Sequence, residues 1–504
     1  MKRSIALPLL FATSASIAAI GACSSDDAQV NATHPDTGGT DGSTASTTFT
    51  PQGCAFTVGA IGDQLGALLF PSFDANDDTL GATPAPAHVR LGLGGGVDST
   101  KSGYADPSTS FGVLWQTDPG TTATKLRYGD ADGSFTTTVE GISYLIPTDP
   151  SYSSGPPNGI RFHEAYVCGL TPGRTVYYQV GGGPTGSEVW SPTETYTTAP
   201  AKGGTDTVTI GVAGDARDST GRSTQPVWHA IMARMASSGA HAITFSGDMV
   251  DIGIDRDQWN TWSTASDVSA GSVFISMSPG NHENEQITYF ANAMMPGALG
   301  VNYERYASYD YGPVHVVEFD DYDGIVSPGI DDSGYAKELE AWIDKDLAAA
   351  DANRANVPWI ITYHHHPFYS STTQTERAAE RTNVRNALQS IYDAHHVDVD
   401  FAGHDHFYER SKPITADAVV TTGGTTYVIC AGAGADAYTA VATDKSAKIV
   451  MYTPTDSTGT YVEGLYGMLT IGKSSLELKM YKMDDLTATT MAGDTVVDDY
   501  TLTR

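Results

Sequence analysis

Positive charge is scarce in this 504-residue chain: 28 lysines and arginines stand against 59 aspartates and glutamates, a net charge of −31. Such a surface repels polyanions, which excludes a nucleic-acid footprint and disfavours nonspecific attraction to anionic lipid or polyphosphate. A site that handles phosphate must therefore gather its own local positive charge. Cysteine is scarcer still, with four residues. Once Cys23 is set aside for the reason below, Cys54, Cys168 and Cys430 remain, an odd number for an oxidising compartment. The expected pair is Cys54 with Cys168, leaving Cys430 as a buried thiol inside the apolar run TTYVICAGAG, although spacing alone does not fix that pairing. The length exceeds one compact domain and predicts two or three.

What is present begins with a leader. Lys2 and Arg3 precede an apolar run from Ile5 to Ile20 that ends in small residues, so residues 1–22 read as an export signal peptide. The stretch Ile20-Gly21-Ala22-Cys23 resembles the lipobox of bacterial lipoproteins. That resemblance implies an acylated Cys23, membrane attachment through more than one chain, and a place in the bacterial cell envelope; plain cleavage would leave a secreted protein instead. Residues 23–50 are polar and rich in Ser, Thr, Gly and Asp, the composition of a flexible tether. Residues 51–84 form an N-terminal extension.

Residues 85–200 read as short strands separated by turn residues, among them HVRLGL, SFGVLW, TKLRYG, EAYVCGL, TVYYQVG and ETYTTAP, the pattern of a small all-β sandwich. From Thr207 the rhythm changes. Apolar strands TVTIGVAGD, HAITFSGD, VFISMSPG, VHVVEFD and PWIITYHHH alternate with helical spacing, seen in Val227, Ile231 and Met235, in Leu339, Ile343 and Leu347, and in Val384, Leu388 and Ile391. Residues 205–482 are thus expected to form an α/β domain, with 483–504 as a C-terminal tail.

Ligands in such folds bind in loops at the carboxyl ends of strands, and each of these strands runs into Asp, Asn or His. Collected, the strand ends offer Asp215 and Arg217, then Asp248 and Asp251, then Asn281 and His282, then His364, His365 and His366, and finally His404 and His406. Neighbouring glycines allow tight turns that bring these groups to one point above the sheet. Hard oxygen and borderline nitrogen donors suit Mn, Zn or Fe.

The ordered series GD, GDxxD, GNHE, H-x-P-x-Y and GHxH resembles the calcineurin-like metallophosphoesterases, and the contexts SPGNHE, HHPFYSS and FAGHDHFYERSKPI are more narrowly similar to purple acid phosphatases. GLTPGRTVYYQVGGG likewise resembles the fibronectin type III-like domain that precedes the catalytic domain in plant-type members, although Val176 takes the place of the usual corner aromatic. The resemblance spans about residues 85 to 475. It implies a multidomain fold, a fibronectin type III-like sandwich followed by a metallophosphoesterase domain, itself a β-sheet sandwich flanked by helices. It also implies a pair of divalent or mixed-valence metal ions, Fe, Mn or Zn. Asp215, Asp248 and His406 would hold the first; Asp248, Asn281, His365 and His404 would hold the second, with Asp248 bridging.

Two departures concern the first metal. The family's usual His two residues after the first Asp is here Arg217, and the Tyr three residues after the bridging Asp is here Asp251. A phenolate at that place stabilises ferric iron and causes the purple colour, so its loss predicts less preference for Fe(III) and no tyrosinate absorption band. Arg217 suits a phosphoryl oxygen through its planar fork, with a salt bridge to Asp218 or another nearby acid as the competing reading. Asp251 stands where phosphoprotein phosphatases of the same superfamily place an Asp that orients the His of the GNH motif, a resemblance that implies orientation of His282 through its carboxylate, against the alternatives of direct metal coordination and of capping the following turn. His364 and His366 are expected to be structural, with His366 also placed to line the substrate cleft. Acid clusters at 74–78, 320–323 and 331–332 match no EF-hand loop, so Ca²⁺ is weakly supported and solvated turns are expected.

The function implied is hydrolysis of phosphate monoesters, a small-molecule phosphate ester being the partner, by in-line attack of metal-bound hydroxide, with His282 as general acid assisted by Asp251. The alternatives are a phosphodiesterase or phytase-like hydrolase on the same site, and a noncatalytic cell-surface binding protein with a degenerate metal site.

Overall fold

A computed structural model of the chain describes residues 48–59, 73–95, 104–146, 159–218, 223, 225–283, 287–295, 304–322, 324–327, 334–374, 377–438, 449–452 and 464–504. The signal peptide, Cys23, nearly all of the tether, Asp323 and the acid pair at 331–332 lie outside the described residues. Among those described, no helix is long and apolar enough to cross a membrane.

The alternating segments of the first half pair into two antiparallel sheets. One runs in the order Asp74–Ala75, Ile142–Ile146, Ile160–Val167, Phe111–Thr117, Ala87–Gly92; the other is Val189–Trp190, Thr175–Gly182, Lys125–Gly129, Thr137–Glu140, with Glu194–Thr197 pairing to Thr175–Gly182. Trp115, Val113, Leu126, Val176 and Tyr178 fill the space between them. Val176 is fully buried where an aromatic was expected. The extension joins this unit through the strand Asp74–Ala75 and a Cys54–Cys168 disulfide, and Cys430 is a buried free thiol. Its acid cluster serves the turns: Asp74 pairs with Arg161 at 2.6 Å and Asp78 with Lys125 at 2.5 Å.

Two further sheets form the second half. A six-stranded sheet runs Phe274–Met277, Ala242–Phe245, Val208–Ala213, Leu465–Ile471, Ser475–Lys482, Thr495–Thr503. An eight-stranded sheet runs Ile449–Tyr452, Tyr408–Ser411, Thr426–Cys430, Val399–Ala402, Trp359–Tyr363, Val314–Phe319, Tyr306–Tyr311, Tyr104–Ala105. Three helices, Gln225–Ser237, Tyr335–Ala352 and Ala378–His395, carry the three apolar series recognised by spacing. In the last, Tyr392 is fully buried while Ile391 is only partly so. Within Arg256–Ser266, the Asp255 side chain caps the first turn by accepting from the Asp257 backbone N–H.

The stretch 483–504, expected as a tail, instead supplies the edge strand Thr495–Thr503. Its Asp498 accepts from the Tyr408 hydroxyl at 2.6 Å and Arg410 Nε at 2.7 Å, which stitches one sheet to the other. The expectation of solvated turns at 320–323 also fails for its first two residues. Asp320 and Asp321 are both fully buried, Asp320 against Arg305 at 2.9 Å and Asp321 between His364 and His366.

Candidate metal centre

Parallel strands end side by side, so the residues that follow them share one edge. Val208–Ala213, Ala242–Phe245 and Phe274–Met277 are neighbours in the six-stranded sheet and lead to Asp215, Asp248 and Asn281. Trp359–Tyr363 and Val399–Ala402 are neighbours in the other sheet and lead to His365, and to His404 with His406. Asp215, Asp248 and His404 have φ of 61°, 58° and 68°, a left-handed backbone that non-glycine residues rarely adopt. Strain of this kind persists where the surroundings over-determine it, characteristically at functional sites. Close approach completes the geometry: a Cβ at Gly403 would lie 2.5 Å from an Asp215 carboxylate oxygen, and one at Gly280 would collide with Asp248 Oδ1.

All six donors named from sequence converge. His406 Nε2 lies 3.3 Å from Asp215 Oδ1, and His365 Nε2 lies 3.4 Å from Asp248 Oδ1. Asn281 Oδ1 is 3.1 Å from His365 Nε2 and 3.0 Å from His404 Nδ1, and those two nitrogens are 3.2 Å apart. The opposite ring nitrogens are anchored on acceptors: His365 Nδ1 on the Ser246 carbonyl at 2.7 Å, His404 Nε2 on Glu380 at 3.1 Å, His406 Nδ1 on the Asp436 carbonyl at 2.7 Å. Anchoring of this type fixes the tautomer and turns the other lone pair inward. Beyond that approach to Asp215, His406 Nε2 is buried without a hydrogen-bond partner among the described residues.

The field at this point favours a cation. Burial opposes charge on Asp248, but His365, His282 and Arg217 together hold its carboxyl well below the usual carboxylate range. Burial likewise opposes protonation of His365, yet Asp248 and then Asp215 lift that imidazole to about 10. His404 is pushed well below its usual range by burial, then by Arg377 and the neighbouring imidazoles. Buried carboxylates, an amide oxygen and inward lone pairs within hydrogen-bonding range of one another are a donor set that fits Zn, Mn or Fe.

Arg217 makes the salt bridge of its competing reading, with Asp251 as the nearby acid, and this changes the expected role of the Asp251 carboxylate. The Asp251 carboxylate meets Arg217 Nη1 at 2.6 Å, while Arg217 Nε lies 3.6 Å from Asp248 Oδ2. His282 Nδ1 donates to the Asp251 main-chain carbonyl at 2.7 Å and is 3.5 Å from its carboxylate. The orienting group for His282 is therefore the Asp251 carbonyl more than its side chain, because the guanidinium makes the shorter, charge-assisted pair with that side chain. His364 is fully buried and shares Asp321 with His366.

Several further residues near the site are not among those expected from the sequence. Tyr438 stacks on His406 with ring centroids 3.9 Å apart, and its hydroxyl accepts from Arg217 Nη2 at 3.2 Å and Arg377 Nη2 at 3.3 Å. Arg377 also donates to the His404 carbonyl at 2.7 Å and to Asp405 at 3.0 Å. Glu283, the last letter of the GNHE motif, accepts from the backbone N–H groups of Asp248, Val250 and Gly280 at 2.8, 3.1 and 2.8 Å, which clamps two site loops together. Burial, reinforced by Asp248, pushes its carboxyl up to about 8.

Comparison with known proteins agrees with this arrangement. Residues 100–198 match the purple acid phosphatase N-terminal domain and residues 210–408 match the calcineurin-like phosphoesterase domain. Purple acid phosphatase 21 of Arabidopsis thaliana is 27% identical over 316 residues, covering 60% of this chain and 64% of that protein. Acid phosphatase type 7 of Mus musculus is 31% identical over 159 residues, 29% of this chain and 34% of that protein. The chain thus spans under two thirds of the length of these curated relatives. The solved purple acid phosphatase PPD1 from yellow lupin seeds superposes with a TM-score of 0.67 at 18% identity, covering 84% of this chain and 75% of that one, and so shares its fold. With the two domains in this order and a fold shared with that structure, the chain carries a purple acid phosphatase N-terminal domain followed by a calcineurin-like phosphoesterase domain and is similar to purple acid phosphatases.

Proposed function

We propose that this chain is a dinuclear metal-dependent phosphatase that hydrolyses phosphate monoesters, with His282 as general acid. The observation that carries this reading is the convergence of Asp215, Asp248, Asn281, His365, His404 and His406, with His282 at the partly exposed lip, its Nε2 4.0 Å from Asp248 Oδ2. A bound cation pair would neutralise phosphoryl charge and lower the pKa of water from about 15.7 to about 7. The chain's own residues do the rest. The hydrogen bond from Nδ1 to the Asp251 carbonyl points His282 Nε2 at the site, where its proton passes to the departing oxygen as the ester bond breaks. Arg217 and Arg377, both directed at the Tyr438 hydroxyl, add positive charge beside His406 and favour a doubly charged monoester over a singly charged diester.

The test compares leaving groups. Replacement His282→Ala is expected to lower the rate by roughly 10²- to 10⁴-fold on an alkyl phosphate and by much less on a nitrophenyl phosphate, whose leaving oxygen needs no proton. Equal losses on both esters would remove His282 from the acid role. A wild type that turns over bis(nitrophenyl) phosphate faster than the monoester would move the reading to a phosphodiesterase.

A further inference from the structure

Five histidines face the candidate centre, and each is fixed through one ring nitrogen. Four have been described. The fifth, His366, rests its Nδ1 on Asp321 Oδ1 at 2.8 Å, while its backbone N–H donates to Oδ2 of the same carboxylate at 2.8 Å. Asp321 is fully buried and His366 is 1% exposed. A carboxylate on one imidazole nitrogen, leaving the other as a lone pair, is the arrangement found behind metal-ligating histidines. In His366 that other nitrogen, Nε2, is buried and has no hydrogen-bond partner among the described residues.

The ring also sits against the centre. Its centroid is 4.3 Å from that of His404 and 4.8 Å from that of His365. One donor atom from each of the three histidines lies within 4.8 Å of the others. Two metal–nitrogen bonds of roughly 2.1 Å span at most about 4.2 Å, so only a small closing movement separates the three rings from a common ion. The family resemblance carries His365 and His404 to the second metal and is silent on His366.

We infer that His366 is a third imidazole ligand of the second metal position, beside His365 and His404, with Asp321 as its positioning residue. The inference rests on the dinuclear reading above and deepens it. A position with three imidazoles is richer in nitrogen than one with two, which shifts its preference toward Zn and away from Mn or Ca.

Metal binding to the full chain is the direct test, read by elemental analysis and by competition with a chelator, first with Zn and then with Mn. Wild type should hold two Zn ions. Both His366→Ala and His366→Gln, the second preserving bulk, should keep the ion held by Asp215 and His406 and release the other at least 100-fold more readily; Asp321→Asn should weaken it about 10- to 100-fold. In the cobalt(II)-loaded protein the ligand-field bands should change in both His366 variants. Thermal melts establish that each variant is folded, and if His366→Ala is not, His366→Gln decides. Folded variants that hold two ions with wild-type affinity and an unchanged cobalt spectrum overturn the inference, and a rise in KM alone would make His366 a substrate contact instead. Two tightly held ions without phosphate ester turnover would sink the hydrolase reading while leaving the ligand assignment intact. Turnover with unaltered metal retention in the variants would do the reverse.

Discussion

At Asp251 two partners compete for one residue. Arg217 takes the carboxylate at 2.6 Å and His282 takes the main-chain carbonyl at 2.7 Å. Replacement Asp251→Asn keeps the carbonyl and hence the His282 orientation, so kcat should fall less than about tenfold, far less than the loss in His282→Ala. Arg217→Ala removes a charged hydrogen-bonding group worth roughly 1.5–3 kcal/mol, and kcat/KM should fall about 10- to 100-fold. Matching kcat losses in Asp251→Asn and His282→Ala would restore the carboxylate as the orienting group. The convergence of the six side chains was legible because each follows a strand at a fixed motif position. The pairing of Arg217 was not, since a guanidinium two residues beyond Asp215 serves a phosphoryl oxygen or a carboxylate equally well until the GDxxD loop is placed beside it. Tyr438 and Arg377 were invisible for the same reason: they reach the site from separate loops, and no local spacing records that.

Strands and helices hold further charges away from the site. His315 on Val314–Phe319 lies between Asp310 at 2.7 Å and Asp346 at 2.8 Å, with Lys202 also on Asp310 at 2.7 Å. Burial opposes its charge, but Asp346 and then Asp310 lift the imidazole from 6.5 to about 10. A native value raised above the unfolded one means that stability is fully present below about pH 6.5 and is lost as pH climbs toward about 10. The wild-type advantage in thermal midpoint over His315→Gln should therefore be largest near pH 6 and shrink steadily toward pH 10, as calorimetry across that range would show. An advantage that grows with pH would mean the ring is neutral in the folded protein. Element by element, apolar periodicity revealed the central strands and the three long helices. It failed at Thr495–Thr503, where Asp498 and Asp499 break the alternation; Asp498 is nevertheless buried, because Tyr408 and Arg410 satisfy it.

For the whole molecule the governing fact is an excess of acid, −31 over the chain, in a protein proposed here to act on an anionic ester. The positive charge needed there comes from very few residues, Arg217 and Arg377 among them, and on the present reading from two cations. The order of a β-sandwich and an α/β domain was readable from the change of rhythm near Thr207. The way Tyr104–Ala105 joins the eight-stranded sheet was not, because a two-residue strand has no period. The most direct measurement is metal content alongside hydrolysis of a chromogenic phosphate monoester, before and after dialysis against a chelator. The expected result is about two ions per chain, loss of turnover with loss of the ions, and recovery on adding Zn, Mn or Fe. Turnover that survives complete removal of metal, or a folded chain that binds at most one ion and hydrolyses nothing, would contradict it.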